Sequence, residues 1–104
     1  MSVLLEFAMF PTDKGESVSP YVSEVIRLIR DSGADYQLTA MGTLIETETL
    51  EQAMALVQQA YSQLDAAGCN RVYSSLKLDI RKGKSGRLKG KPASVEEKIG
   101  AVTT

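Results

Sequence analysis

The chain reads as an α+β domain, a four-stranded antiparallel sheet with two helices on one face and a short C-terminal helix, in the order βαββαβ. Three observations predict it. Apolar residues recur with strand period and helix period in that alternating order along 104 residues. Both long helical segments open on start signals, Ser19-Pro20 in one and Thr49-Leu50-Glu51-Gln52 in the other. The last strand-like run, Arg71 to Arg81, alternates so regularly that one face is apolar and the other polar.

Ser2 to Phe10 is the first strand, with Val3, Leu5, Phe7 and Met9 on one side and Leu4, Glu6, Ala8 and Phe10 on the other. Only Glu6 interrupts the cover of either face. Pro11-Thr12-Asp13-Lys14-Gly15 forms a loop, and Ser19 is then the expected N-cap of a helix whose first residue is Pro20. Val22, Val25, Ile26 and Ile29 make its buried stripe, Glu24, Arg27 and Arg30 face water, and Gly33 ends it. Tyr36 to Met41 and Thr43 to Thr47 are short β-prone stretches hinged at Gly42, read as an antiparallel pair. Thr49 and Gln52 have capping-box spacing, and Leu50, Ala53, Val57, Ala60, Tyr61 and Leu64 mark the second helix up to Gly68.

In the last strand Val72, Ser74, Leu76, Leu78 and Ile80 share one face, and Tyr73, Ser75, Lys77, Asp79 and Arg81 the other. A basic, glycine-rich loop follows from Lys82 to Lys91, and Ser94 with Glu97 has the spacing to cap a short terminal helix. This order is that of a ferredoxin-like βαββαβ sandwich, and residues 1–104 make a single domain with no linker inside it. Two helices cover one sheet face, which leaves the other open to water, a ligand or a second subunit.

Composition narrows the chemistry. The chain has no histidine, which argues against most zinc sites, against Ser-His-Asp and Cys-His catalysis, and against imidazole acid–base chemistry. The lone Cys69 has no partner for an internal disulfide and no histidine to activate it, so it reads as a small half-buried residue in a reducing compartment. No apolar run approaches the roughly 20 residues that span a bilayer, and the strand-like N-terminal run with its carboxylate argues against a secretion signal, so the expectation is a cytoplasmic protein with no membrane partner.

Charge is unevenly distributed: residues 1–79 hold 5 basic and 11 acidic groups, residues 80–104 hold 7 and 2. Six of the twelve basic residues lie between Arg81 and Lys91, which suggests phosphate or nucleic acid. The acidic body, the absence of Trp and a last strand without paired stacking aromatics argue against nucleic acid, and the glycines lack phosphate-loop spacing. A solvated loop is the simpler reading.

The open face is expected to receive Tyr73, Ser75, Lys77 and Asp79 from the last strand, and Thr39, Met41 and Glu46 from the central pair. That mixture of hydroxyls, charges and apolar groups suits a polar small molecule held near a subunit contact. Glu6 and Glu46 are the informative residues, because a carboxylate among apolar neighbours either pairs, for instance with Lys77, or awaits a cation.

Several segments resemble one known family. Ser17-Val18-Ser19, the run Leu38 to Glu46 with its Met-Gly-Thr-x-x-Glu core, Arg71-Val72, Leu78-Asp79-Ile80-Arg81, and Lys91 with Ser94-Val95-Glu96-Glu97-Lys98 are similar to the thiamine-binding protein family, across nearly the whole chain. The resemblance implies a ferredoxin-like fold assembled as a dimer or homotetramer, with thiamine or its hydroxymethylpyrimidine moiety held near the exposed sheet and subunit contacts. It implies no enzymatic activity, and no cofactor beyond that ligand. Glu46 is then the expected charge-assisted contact to either ring, Thr43 and Ser75 the partners of the pyrimidine edge, Thr39 a further hydroxyl, Met41 an apolar platform, and Lys77 a polar neighbour. Phe7 belongs to the core. The chain departs from the family pattern at Phe10-Pro11-Thr12-Asp13-Lys14-Gly15 and at Thr47-Glu48, both close to the expected pocket. Two alternatives stay open, a structural or regulatory oligomer without a small ligand, and a small-molecule enzyme built on Glu6, Glu46 and Lys77.

Overall fold

A computed structural model describes residues 1–104. The elements are β1 (Ser2–Pro11), α1 (Ser19–Asp31), β2 (Asp35–Thr39), β3 (Gly42–Thr47), α2 (Leu50–Ala66), β4 (Val72–Arg81) and α3 (Arg87–Ile99). The sheet is antiparallel in the order β2-β3-β1-β4. This is the ferredoxin-like arrangement read from the sequence, with β1 at the centre and the long β4 at an edge.

Pairing sets the two faces. Leu5 lies opposite Ile45 and Leu78, and Phe7 opposite Thr43 and Leu76, all on the side covered by α1 and α2. Leu4 lies opposite Glu46 and Asp79, and Glu6 opposite Leu44 and Lys77, on the other side. The core sits in the first layer: Val3, Leu5, Phe7 and Met9 of β1 meet Val25 and Ile29 of α1, Ile45 of β3, and Ala53, Leu56, Ala60 and Leu64 of α2. Phe7 is core as expected, and Cys69 is buried against the same cluster. Burial of each large side chain there contributes about 1.5–3 kcal/mol, so this face dominates stability.

The Thr49 capping box forms, with Thr49 Oγ1 accepting from Gln52 N–H and Gln52 Oε1 accepting from Thr49 N–H. At α1 the expected N-cap is displaced by one residue. Ser19 is already helical, Val18 occupies the cap position without a side-chain bond, and Pro20 remains in the first turn. The β2–β3 turn is Ala40-Met41, not a hinge at Gly42. Thr39 Oγ1 closes that turn, donating to Gly42 O at 2.8 Å and accepting from Met41 N–H at 3.2 Å. Glycine is favoured at position 42 by its positive φ and by proximity, since a Cβ there would stand 3.1 Å from the Phe7 carbonyl oxygen.

The largest departure from expectation lies after β4. Helix α3 starts at Arg87, seven residues before the expected cap at Ser94, so half of the basic loop is helical and the Ser94–Glu97 box does not form. It carries Gly90 and Pro92 within it, both unfavourable in a helix interior, so local propensity cannot be its source. Its origin is tertiary, because α3 lies against the sheet face opposite α1 and α2, which is therefore partly covered by this chain and not fully open.

Candidate functional site

Glu46 anchors α3. Its Oε2 accepts from Ser2 Oγ at 2.5 Å and from Arg87 N–H at 3.0 Å, and its Oε1 accepts from Leu88 N–H at 3.0 Å. The carboxylate thus serves, from 41 residues away, the first free N–H groups of the helix and its positive dipole end. Burial would raise the Glu46 carboxyl, but the Ser2 hydroxyl, the two backbone N–H groups and the Arg87 charge outweigh it and hold the group below the usual range. Gly86, just ahead of the helix, takes the left-handed conformation that lets the chain turn into it.

Arg87 completes the clasp. Its Nε donates to Ser2 Oγ at 3.0 Å, its Nη2 to Ser2 O at 2.8 Å and Asp79 O at 2.6 Å, and its Nη1 lies 3.0 Å from Asp79 Oδ2. One guanidinium therefore ties α3 to the start of β1 and the end of β4, a planar fork's geometry that lysine could not reproduce.

Beneath α3 this arrangement leaves a cleft of about 570 Å³, within the roughly 300–1,000 Å³ common for small-molecule sites. Its floor is the sheet, with Leu4 and Glu6 of β1, Gln37 of β2, Leu44 of β3, and Lys77 and Asp79 of β4. Its roof is Arg87, Leu88, Lys91 and Pro92 of α3, with Thr104 at the rim. The ion pairs of the chain are Glu24–Arg27, Arg30–Asp31 and Asp79–Arg87, so Glu6 and Lys77, though directly opposed across β1 and β4, are not closed on each other. The cleft therefore presents a carboxylate, an ammonium and an amide among leucines, a combination able to fix a flat polar ring in one orientation.

The residues singled out from the sequence are only partly gathered there. Lys77 lines the cleft. Ser75 shares its face, opposite Ala8, farther along β4. Glu46 lies at the cleft's edge, but its oxygens are engaged by Ser2, Arg87 and Leu88, and it is not the ion-pair partner of Lys77, which faces Glu6. Thr39 is on the open face, yet its hydroxyl serves the β2–β3 turn. Met41 sits in that turn at 91 % exposure and not on the sheet face. Thr43 is buried on the helix side with Phe7. Being three residues apart in one strand, Thr43 and Glu46 point to opposite faces, so they cannot line one site together. Sequence reasoning missed Gln37, Arg87, Leu88, Lys91 and Pro92. Alternation in β2 signals Gln37, whereas the only local signal for the α3 residues is the basic run Arg81 to Lys91, whose simpler reading is a solvated loop.

Comparison with known proteins agrees with this fold. The family model described as Thiamine-binding protein matches residues 5–96. The chain belongs to the thiamine-binding protein family. Proteins similar to it include a UPF0045 protein of Mycobacterium bovis, 43 % identical over 96 residues that cover 92 % of this chain and 93 % of the relative. The crystal structure of a hypothetical protein of Methanocaldococcus jannaschii is similar at 33 % identity and TM-score 0.79, covering 92 % and 97 % of the two chains. A Thermotoga maritima structure described as a candidate thiamine biosynthesis/salvage protein has TM-score 0.78 over 91 % and 99 %, and at 19 % identity that likeness speaks to the fold. In this thiamine-binding family member, the matched segment spans both walls of the cleft, from Glu6 on the floor to Pro92 on the roof. No helix is long and apolar enough to cross a membrane.

Proposed function

We propose that this protein binds thiamine, or its hydroxymethylpyrimidine moiety, in the cleft between the sheet and α3, without chemical turnover, as a cytoplasmic homo-oligomer. The observation that carries the reading is the unclosed pair Glu6 and Lys77 on an apolar floor beneath a clasped helix. The family described as Thiamine-binding protein supplies the ligand class. An aminopyrimidine both donates and accepts, which matches a carboxylate, an ammonium and the Gln37 amide in one row across the cleft floor. A thiazolium adds a permanent positive charge for Glu6.

Glu46 then acts as a positioning residue, holding the roof while Glu6 supplies the charge contact. Leu4, Leu44 and Leu88 pack against the ring faces, and Ser75 lies within the same polar row as Lys77. Calorimetric titration of folded, ligand-free protein with thiamine and, separately, with hydroxymethylpyrimidine tests the proposal. Saturable heat is expected with at least one, and Glu6→Gln should weaken thiamine binding about tenfold, the loss of one charge-assisted contact. No heat with either ligand would overturn the reading.

A further inference from the structure

Half of the chain's basic residues lie in one run, Arg81 to Lys91, and the ligand chemistry described so far makes no use of their charge. Folding sorts that run. Arg81 ends β4, Lys82 and Lys84 stand exposed in the turn, and α3 takes Arg87, Lys89 and Lys91. Residues four apart share a helix face, so Lys91 follows Arg87 onto the roof of the cleft. Lys89 turns away from it and lines a separate cavity of about 170 Å³ with Asp35.

The charges of the cleft do not balance. Asp79 and Arg87 neutralise each other at 3.0 Å. Glu6 and Lys77 on the floor and Lys91 on the roof belong to no ion pair, which leaves two ammonium groups against one carboxylate. The first 79 residues hold 11 acidic groups and 5 basic ones, so this positive surplus is a property of the cleft and not of the body around it. A thiazolium cation answers Glu6 and adds to the surplus, and an uncharged pyrimidine answers neither lysine. An anion carried by the same ligand answers both.

Thiamine and hydroxymethylpyrimidine each have one primary hydroxyl, and a phosphate monoester there brings about −1.5 to −2 charges with three strong acceptor oxygens. Lys77 lies directly opposite Glu6, one strand spacing of about 4.7–4.9 Å away. In the thiamine ester the phosphorus stands two carbons and one oxygen beyond the cationic ring, an offset of the same scale. A ring over Glu6 therefore sets its phosphate beside Lys77.

We infer that the cleft takes the phosphate monoester of its ligand in preference to the free alcohol, with Lys77 from the floor and Lys91 from the roof as the phosphate subsite. This deepens the proposed function and rests on it for the cleft and the ring.

Calorimetric titration of folded, ligand-free protein with thiamine, thiamine monophosphate, hydroxymethylpyrimidine and its monophosphate tests the inference and separates the two ring sources. At least one ester should bind about tenfold more tightly than its alcohol, the worth of one charge-assisted contact, and the ratio should shrink as salt rises. Lys77→Gln and Lys91→Gln should each reduce that ratio and the double variant should abolish it. Lys91→Arg should keep it, as should Lys89→Gln, which lies outside the cleft. Comparing ester with alcohol inside one variant cancels any loosening of the roof. Esters no tighter than their alcohols, or an advantage that survives the double variant, would overturn the inference and leave the proposed function standing. Heat from an ester with silence from its alcohol would support the inference at the expense of the unphosphorylated reading. No heat with any of the four would overturn both.

Discussion

The two faces of this sheet are held by different physics. On the helix side, Val3, Leu5, Phe7 and Met9 bury completely or nearly so in a packed apolar cluster. On the opposite side, Leu4 and Glu6 of the same strand meet a helix with no buried residue of its own, fastened by Glu46, Ser2, Arg87 and Asp79. Alternation along one strand thus separates stability from recognition: the first face resists change, and the second keeps charged groups, a cleft and a roof held by polar contacts.

Neighbours in β1 test that separation most strongly. Leu5→Ala should destabilise the protein by about 2–5 kcal/mol in urea unfolding, the cost of a truncated core leucine. Leu4→Ala, one residue away on the cleft floor, should cost clearly less and weaken ligand binding instead. Equal losses of stability would break the comparison.

The roof comes next. Glu46→Ala leaves the N–H groups of Arg87 and Leu88 and the Ser2 hydroxyl without their acceptor, so α3 should loosen by about 1–3 kcal/mol. Hydrogen exchange should show faster exchange across α3 with little change in β1. Acid should have the same local effect. Because the folded Glu46 carboxyl is held below its unfolded value, its contribution is present above that value and is lost as pH falls through the folded one. Protection of the α3 amides, corrected for intrinsic exchange, should therefore fall on acidification in the wild type and not in Glu46→Gln. Asp13, lowered chiefly by the Asn70 N–H, titrates in the same direction but in a separate loop, so the readout must be local to α3.

The smallest expected effect sharpens the helix side. Thr49→Ala removes the capping-box oxygen of α2 and should cost about 1 kcal/mol of global stability, leaving affinity for the cleft's ligand unchanged.

What the sequence made legible follows the same division. The core, the element order and the parity of β4 were readable because apolar period and local caps decide them: Val25 and Ile29 lie on the predicted stripe, and Thr49 caps where its spacing says. The site was harder because its roof depends on contacts between distant residues. Ser94 and Glu97 present a better local helix start than Arg87 does, yet a carboxylate from β3 and an arginine clasp start the helix seven residues earlier. The signal that existed was Glu46 itself, a carboxylate in an apolar strand that had to find donors. Lys77 was found by alternation alone. Thr43 falls on the other face from Glu46 because a strand divides the motif Met41 to Glu46 between two faces.

Amide chemical-shift mapping of isotopically labelled protein during thiamine titration tests the central claim most directly. Shifts confined to Leu4, Glu6, Gln37, Leu44, Lys77, their immediate chain neighbours and the first turns of α3, with Ile29 and the rest of α1 and α2 silent, are the predicted result. Shifts centred on α1 and α2, or none at saturating ligand, would contradict it.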